Sequence, residues 1–186
     1  MSNTKTANGK PSIFFSPTIK SPLGSALFAK LEEPDVFRGG DPTWKITVVF
    51  DPNDAEYTAL RDTVVKFAAD FAKESDKAID PNSVWRTDKQ TGHPCLTFKA
   101  KVKLGDDGKP VKLAVVDSFK QPTTEPWNGD KVRVAFKLGG WTSPFGAGIK
   151  PYLSAVQIIE RRPKGASGFN AVDVFDGPTD DSEIPF

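Results

Sequence analysis

The chain predicts a mainly β protein: a small closed or partly open antiparallel barrel with a single helix inserted between its strands. Three observations carry this. Residues 43–50, Thr-Trp-Lys-Ile-Thr-Val-Val-Phe, alternate strictly, with Trp44, Ile46, Val48 and Phe50 on one side and Lys45 and Thr47 on the other. Period two is the signature of a half-buried strand. Only one stretch, residues 54–75, repeats its apolar side chains at helical spacing. The remaining strand signals follow one another without helices between them, which argues against a βαβ sheet.

In chain order, residues 1–23 form a flexible polar lead-in with one apolar patch, Ile13-Phe14-Phe15. Residues 24–31 read as the first strand, closed by Glu32-Glu33-Pro34, and residues 37–42 as a loop before the alternating strand. Asp51-Pro52-Asn53-Asp54 then supplies a turn and an N-cap, with its acids at the positive end of the coming helix. Tyr57, Leu60, Val64, Phe67 and Phe71 form that helix's buried stripe. A polar connection over residues 76–94 carries Trp85 and Arg86. Strands at 95–103 and 111–118 flank Gly105-Asp106-Asp107-Gly108, a turn sequence that predicts a hairpin. The last two strands span 129–138 and 148–160. Gly139, Gly140 and Gly146 between them predict a sharp bend or bulge.

Length and composition fit one soluble domain, residues 24–164, with a C-terminal appendage, residues 165–186. The net charge of +1 hides an asymmetry. From Gly165 onward there are five acids and no base, which leaves +6 on residues 1–164. A basic body with an acidic tail points to an anionic ligand for the body. The tail has too few apolar side chains to offset its ordering entropy and reads as disordered. It closes on Asp180, Asp181, Glu183, Ile184, Pro185 and Phe186, a compact acidic and apolar tip suited to a partner's pocket with a basic rim. The single Cys95 excludes a disulfide framework and suits a reducing compartment. No apolar run is long enough for a signal peptide or a membrane span, so the expected location is cytoplasmic.

Enzyme chemistry finds little support. His93 is the only histidine, and His93-Pro94-Cys95 is too small a cluster for a metal site. Cys95 begins an alternating strand, where a small core residue is expected rather than a nucleophile. Asp106 and Asp107 are turn formers, and no phosphate-cradling glycine loop is present. The expectation is a protein without catalysis, cofactor or metal.

Lysines between aromatics are the informative pattern. Lys99, Lys101 and Lys103 occupy alternate positions of one strand and so share a face. Lys45, Arg133, Lys137 and Lys150 occur on neighbouring strands, and Trp85-Arg86, Trp127, Trp141, Phe145 and Tyr152 lie near these charges in the chain. A positive groove for phosphates with aromatic faces for unstacked bases is what sequence-tolerant binding of single strands requires. Lys45, Trp85, Arg86, Lys99, Lys101, Lys103, Trp127, Arg133, Lys137, Trp141, Lys150 and Tyr152 are therefore the candidate DNA-binding residues. The other reading is a protein-interaction scaffold whose lysine face is only solvated.

With these features in place, the sequence resembles the OB-fold single-stranded DNA-binding proteins of short-tailed lytic bacteriophages. The likeness runs from about residue 26 to 161. It rests on residues 28–35 (Phe-Ala-Lys-Leu-Glu-Glu-Pro-Asp), 44–50, 96–101, 113–118 and 129–134, and above all on 141–150 (Trp-Thr-Ser-Pro-Phe-Gly-Ala-Gly-Ile-Lys) followed by 153–157. The resemblance implies a five-stranded OB-fold barrel. It also implies a non-catalytic protein that coats single-stranded DNA, removes hairpins and helps strands anneal in phage replication, recombination and repair. Its tail would compete with DNA for the basic groove and dock the phage polymerase and primase-helicase, with Phe186 at the place of the family's terminal aromatic. A homodimer without DNA and residence in the bacterial host's cytoplasm are also implied. The family's stacking tyrosines fall here near Lys101 and Gly140, neither of which is aromatic.

Overall fold

The computed structural model describes residues 14–36 and 39–163. Residues 1–13, 37–38 and 164–186, and with them the expected acidic tail and its tip, Asp180, Asp181, Glu183, Ile184, Pro185 and Phe186, lie outside the described residues. The strands are β1 (Phe14–Phe15), β2 (Ile19–Lys20), β3 (Gly24–Asp35), β4 (Thr43–Val49), β5 (Trp85–Thr87), β6 (Pro94–Lys101), β7 (Ala114–Val116), β8 (Lys131–Ser143) and β9 (Gly146–Glu160). One α-helix, α1 (Ala55–Ser75), and a 3-10 turn at Pro81–Val84 complete the described elements.

Five strands close on themselves. β3 pairs with β4, β4 with β6, β6 with β9, β9 with β8, and β8 returns to β3. All these pairings are antiparallel except β6 with β9, which meet in parallel where Lys99 faces Tyr152. The result is a five-stranded OB-fold barrel. Alternation fills its interior: Trp44, Ile46 and Val48 of β4, Leu96 and Phe98 of β6, Val132, Val134, Phe136 and Leu138 of β8, and Ile149, Leu153, Val156 and Ile158 of β9 are all buried. The helix contributes the stripe that its spacing predicts, Tyr57, Leu60, Val64, Phe67 and Phe71. Asp54 caps it, its carboxylate accepting the Glu56 N–H at 2.8 Å.

Three details differ from the sequence reading. The turn at Gly105–Gly108 does form, with the Gly108 N–H donating to the Gly105 carbonyl at 2.9 Å and the Val111 N–H to the Lys103 carbonyl at 2.8 Å. The second arm of the expected hairpin, however, leaves its neighbour, and β7 pairs in parallel with β9. The reason is that β6 has no free edge: β4 occupies one along its length, and β5 and then β9 occupy the other. Second, Gly139 and Gly140 make no bend; they lie within the longer β8, whose irregularities fall between Lys131 and Val132 and between Ala135 and Phe136. They serve close approach instead. A Cβ on Gly140 would stand 2.6 Å from the Phe71 ring, and one on Gly139 would enter the Tyr152 ring. Third, two short pieces of the lead-in, Phe14–Phe15 and Ile19–Lys20, are paired. β1 and β2 add to the edge of β8, and the Phe14 ring lies 5.4 Å from Phe67 and 5.8 Å from Phe71.

Candidate nucleic-acid interface

The outward residues of β4, β6 and β9 assemble one basic face. Register places Lys45 opposite Lys99, Thr47 opposite Thr97 and Thr43 opposite Lys101. Lys99 in turn adjoins Tyr152, and Tyr152 faces Lys137 across the β8–β9 ladder. Beside this face opens a cleft of about 550 Å³, lined by Arg86, Thr97, Lys99, Trp141, Lys150 and Tyr152 among others. Its two rings are held in different ways. Tyr152 rests on the bare backbone of Gly139 and meets Phe15 edge-on at 5.5 Å. Trp141 stands over Gly148, where a Cβ would lie 3.1 Å from the indole, and Lys150 Nζ sits 5.1 Å from its ring centroid. Arg86 is fixed at the rim, its guanidinium donating to the carbonyls of Ser83 and Trp85. At the β8–β9 tip, Phe145 is fully exposed.

Charge is unevenly available on this face. Lys45 Nζ is 2.6 Å from Asp35, whose carboxyl is held below its ordinary range by that hydrogen bond and then by the nearby lysine charges. Lys101 Nζ is 2.9 Å from Asp41, and this contact raises the lysine's pKa. Among the described residues, Lys99, Lys137 and Lys150 are exposed and have no ion-pair partner, which leaves them open to a phosphate. An anionic strand must displace Asp41 before it reaches Lys101. Asp41→Asn is therefore expected to tighten binding of single-stranded DNA about two- to fivefold and to steepen its salt dependence by about 0.7 in log–log slope. Titration at several salt concentrations checks this; unchanged affinity and slope would place Lys101 off the strand's path.

Four candidates stand elsewhere. Trp85 packs edge-on against Tyr57 at 5.4 Å and Phe50 at 6.4 Å, so its ring belongs to the rim of the core. Arg133 forms a two-pronged pair with Glu56 at 2.7 and 3.2 Å on another side of the barrel. Trp127, half exposed, lies near the far end of the β8–β9 ladder, where the Arg161 guanidinium is 5.4 Å from its ring. Lys103 falls past the end of β6, in the approach to the Gly105 turn. The structure also adds residues that the sequence did not single out. Ser83 and Val84 join the cleft because the polar connection folds back on α1 and β9, which no periodicity announces. Lys30 joins the basic face through its register with Lys45.

Cys95 is buried, and burial pushes its thiol pKa up. Among the described residues no group of three His, Cys, Asp or Glu side chains could hold a metal, and no helix is long and apolar enough to cross a membrane.

No protein-family model matches the chain, and no curated protein matches it in sequence. Solved structures do. The gp2.5 single-stranded DNA-binding protein encoded by bacteriophage T7 superposes with a TM-score of 0.63 at 20% identity, over 82% of this chain and 97% of that one. The single-stranded DNA-binding protein from bacteriophage Enc34, in complex with ssDNA, gives 0.58 at 14% identity over 86% and 95%. A further solved structure of the single-stranded DNA-binding protein from bacteriophage Enc34 gives 0.56 at 14% identity over 94% and 98%. This chain has the fold of phage single-stranded DNA-binding proteins.

Proposed function

We propose that this protein binds single-stranded DNA with little sequence preference and without catalysis. The observation that carries the reading is the cleft itself. It joins two partly exposed rings, Trp141 and Tyr152, to Lys99 and Lys150, with Lys137 beside Tyr152, on a barrel of this fold. Aromatic faces take unstacked bases of any identity, and the lysines take the backbone. No array of base-edge readers is needed.

Titration of the intrinsic tryptophan fluorescence with poly-dT tests this at two salt concentrations. Trp141 is expected to be quenched at low salt, and the affinity is expected to fall steeply as salt rises, because bound phosphates release counterions. Absent quenching at low salt would overturn the reading and leave the scaffold alternative.

The proposed setting is phage DNA replication, recombination and repair in the cytoplasm of the bacterial host: strand coating, helix destabilisation and annealing. The acidic segment would compete with DNA for the basic face in a protein that can pair as a homodimer, and its Phe186 tip would recruit the phage polymerase and primase-helicase. The charge contrast between residues 1–164 and 165–186 supports this. Deleting residues 173–186 is expected to tighten DNA binding while abolishing polymerase and helicase capture. A truncated chain that bound DNA less well would contradict competition.

A further inference from the structure

A second cleft lies on the same β8–β9 ribbon and is again lined by cations. It also measures about 550 Å³, and it is lined by Lys20 of β2, Lys120, Arg133, Ala135, Ala155 and Gln157 among others. Ala135 and Ala155 face each other in register and give it a floor without bulk. Of its cations, Arg133 is paired with Glu56, the only acid in the lining. Lys20 and Lys120 are exposed and have no ion-pair partner among the described residues.

Beside Lys120 stands Phe119, 82% exposed. Its display is built in. The Asp117 carboxylate accepts the N–H groups of Phe119 and Gln121, both at 2.9 Å, and the Asp117 N–H donates to the Gln121 carbonyl at 2.9 Å. Lys120 completes the turn at φ 64°, a left-handed conformation that a side chain rarely adopts. The Gln157 amide locks the turn onto β9 by donating to the Asp117 carbonyl at 3.2 Å. A rigid turn that holds a large apolar ring in water beside a cation has no packing purpose in the barrel.

Resting on the reading of the first cleft, we propose that this second cleft is a further contact site for single-stranded DNA. A strand leaving Tyr152 continues along β9 to Ala155, Gln157 and the Phe119–Lys120 turn. The occupant follows from charge and continuity. Tyr152 borders the first cleft and Ala155 the second, three residues and about 10 Å further along one strand. The residue facing Tyr152 on β8 is the unpaired Lys137, which bridges the gap with positive charge. Phe119 supplies a stacking face, and Lys20 and Lys120 supply the phosphate contacts.

The test uses the full chain with Lys20→Glu, Phe119→Ala and Lys120→Asn combined; Asn is chosen at 120 because it tolerates the left-handed backbone. Affinity is measured for an oligo-dT of about six nucleotides, near the lower end of what one such barrel covers, and for one of about twenty. The short oligonucleotide should bind as in the parent, which also shows that the variant is folded. The long one should bind roughly tenfold or more weakly, with its log–log salt slope reduced by about 1.4 for two lost phosphate contacts. Unchanged affinity for the long oligonucleotide would overturn the proposal while leaving the first cleft intact. Tighter binding of it would also overturn the proposal, by showing that the cleft holds an internal anion. A parent protein that bound neither length would instead sink the reading of the first cleft.

Discussion

Reversing the charge of Lys99 and Lys150 together, to Glu at both positions, is expected to lower affinity for single-stranded DNA about a hundredfold at low salt. The log–log salt slope should fall by about 1.4, since each phosphate contact on a single strand contributes about 0.7. These two lysines are the right pair because both line the first cleft and neither is held by a carboxylate among the described residues. Lys45 and Lys101 are poorer choices, since Asp35 and Asp41 already share their charge. Both substituted side chains are exposed, so the melting temperature should barely move. Trp141→Ala separates the two forces at work. It should cost about 1–3 kcal/mol of binding, the contribution of one stacked base, while the salt slope stays nearly unchanged. A double reversal that left both affinity and slope untouched would show that DNA does not enter this cleft.

How far this site could be read from the chain depends on the distance over which each contact acts. The alternation of β4, the stripe of α1 and its Asp54 cap are local, and they are where the sequence places them. The face shared by Lys99 and Lys101 is equally local, because period two fixes it within one strand. What the chain does not announce is partnership between distant residues. Arg133 looks like a free cation until α1 brings Glu56 to it from 77 positions away. Trp85 looks like a stacking ring until Phe50 and Tyr57 meet it. The hairpin at Gly105–Gly108 fails beyond its turn for a related reason: the distant β4 and β9, together with β5 just before it in the chain, already occupy both edges of β6. Gly139 and Gly140 carry a true signal, but it concerns the rings packed on them, not a bend.

Asp130→Ala is expected to cost about 3 kcal/mol of stability, because it removes a fully buried carboxylate that accepts three hydrogen bonds at a short seam of the barrel. That seam is the β3–β8 pairing, which spans only Gly24 with Val132 and Ser25 with Lys131. Asp130 stands immediately before it and is fully buried. One carboxylate oxygen accepts the Arg162 N–H at 2.8 Å; the other accepts the Trp127 N–H at 2.9 Å and Arg161 Nη1 at 3.3 Å. Its backbone carbonyl takes the Ala26 N–H at 2.8 Å, so one residue ties β3, the start of β8 and the end of β9. Arg161 keeps its contacts to Thr123, Thr124 and the Glu125 carbonyl after the change, which limits the loss on its side. For a chain of this length the loss corresponds to a fall in melting temperature of about 6–12 °C. Asp130→Asn, which keeps an accepting oxygen but sets an amide against the guanidinium, should fall between the two. Trp141 and Lys150 lie toward the other end of the β8–β9 ladder, so well below the transition the alanine variant should still bind short oligo-dT as the parent does. A melting temperature within about 1 °C of the parent would show that the seam is held by the surrounding packing and not by this carboxylate.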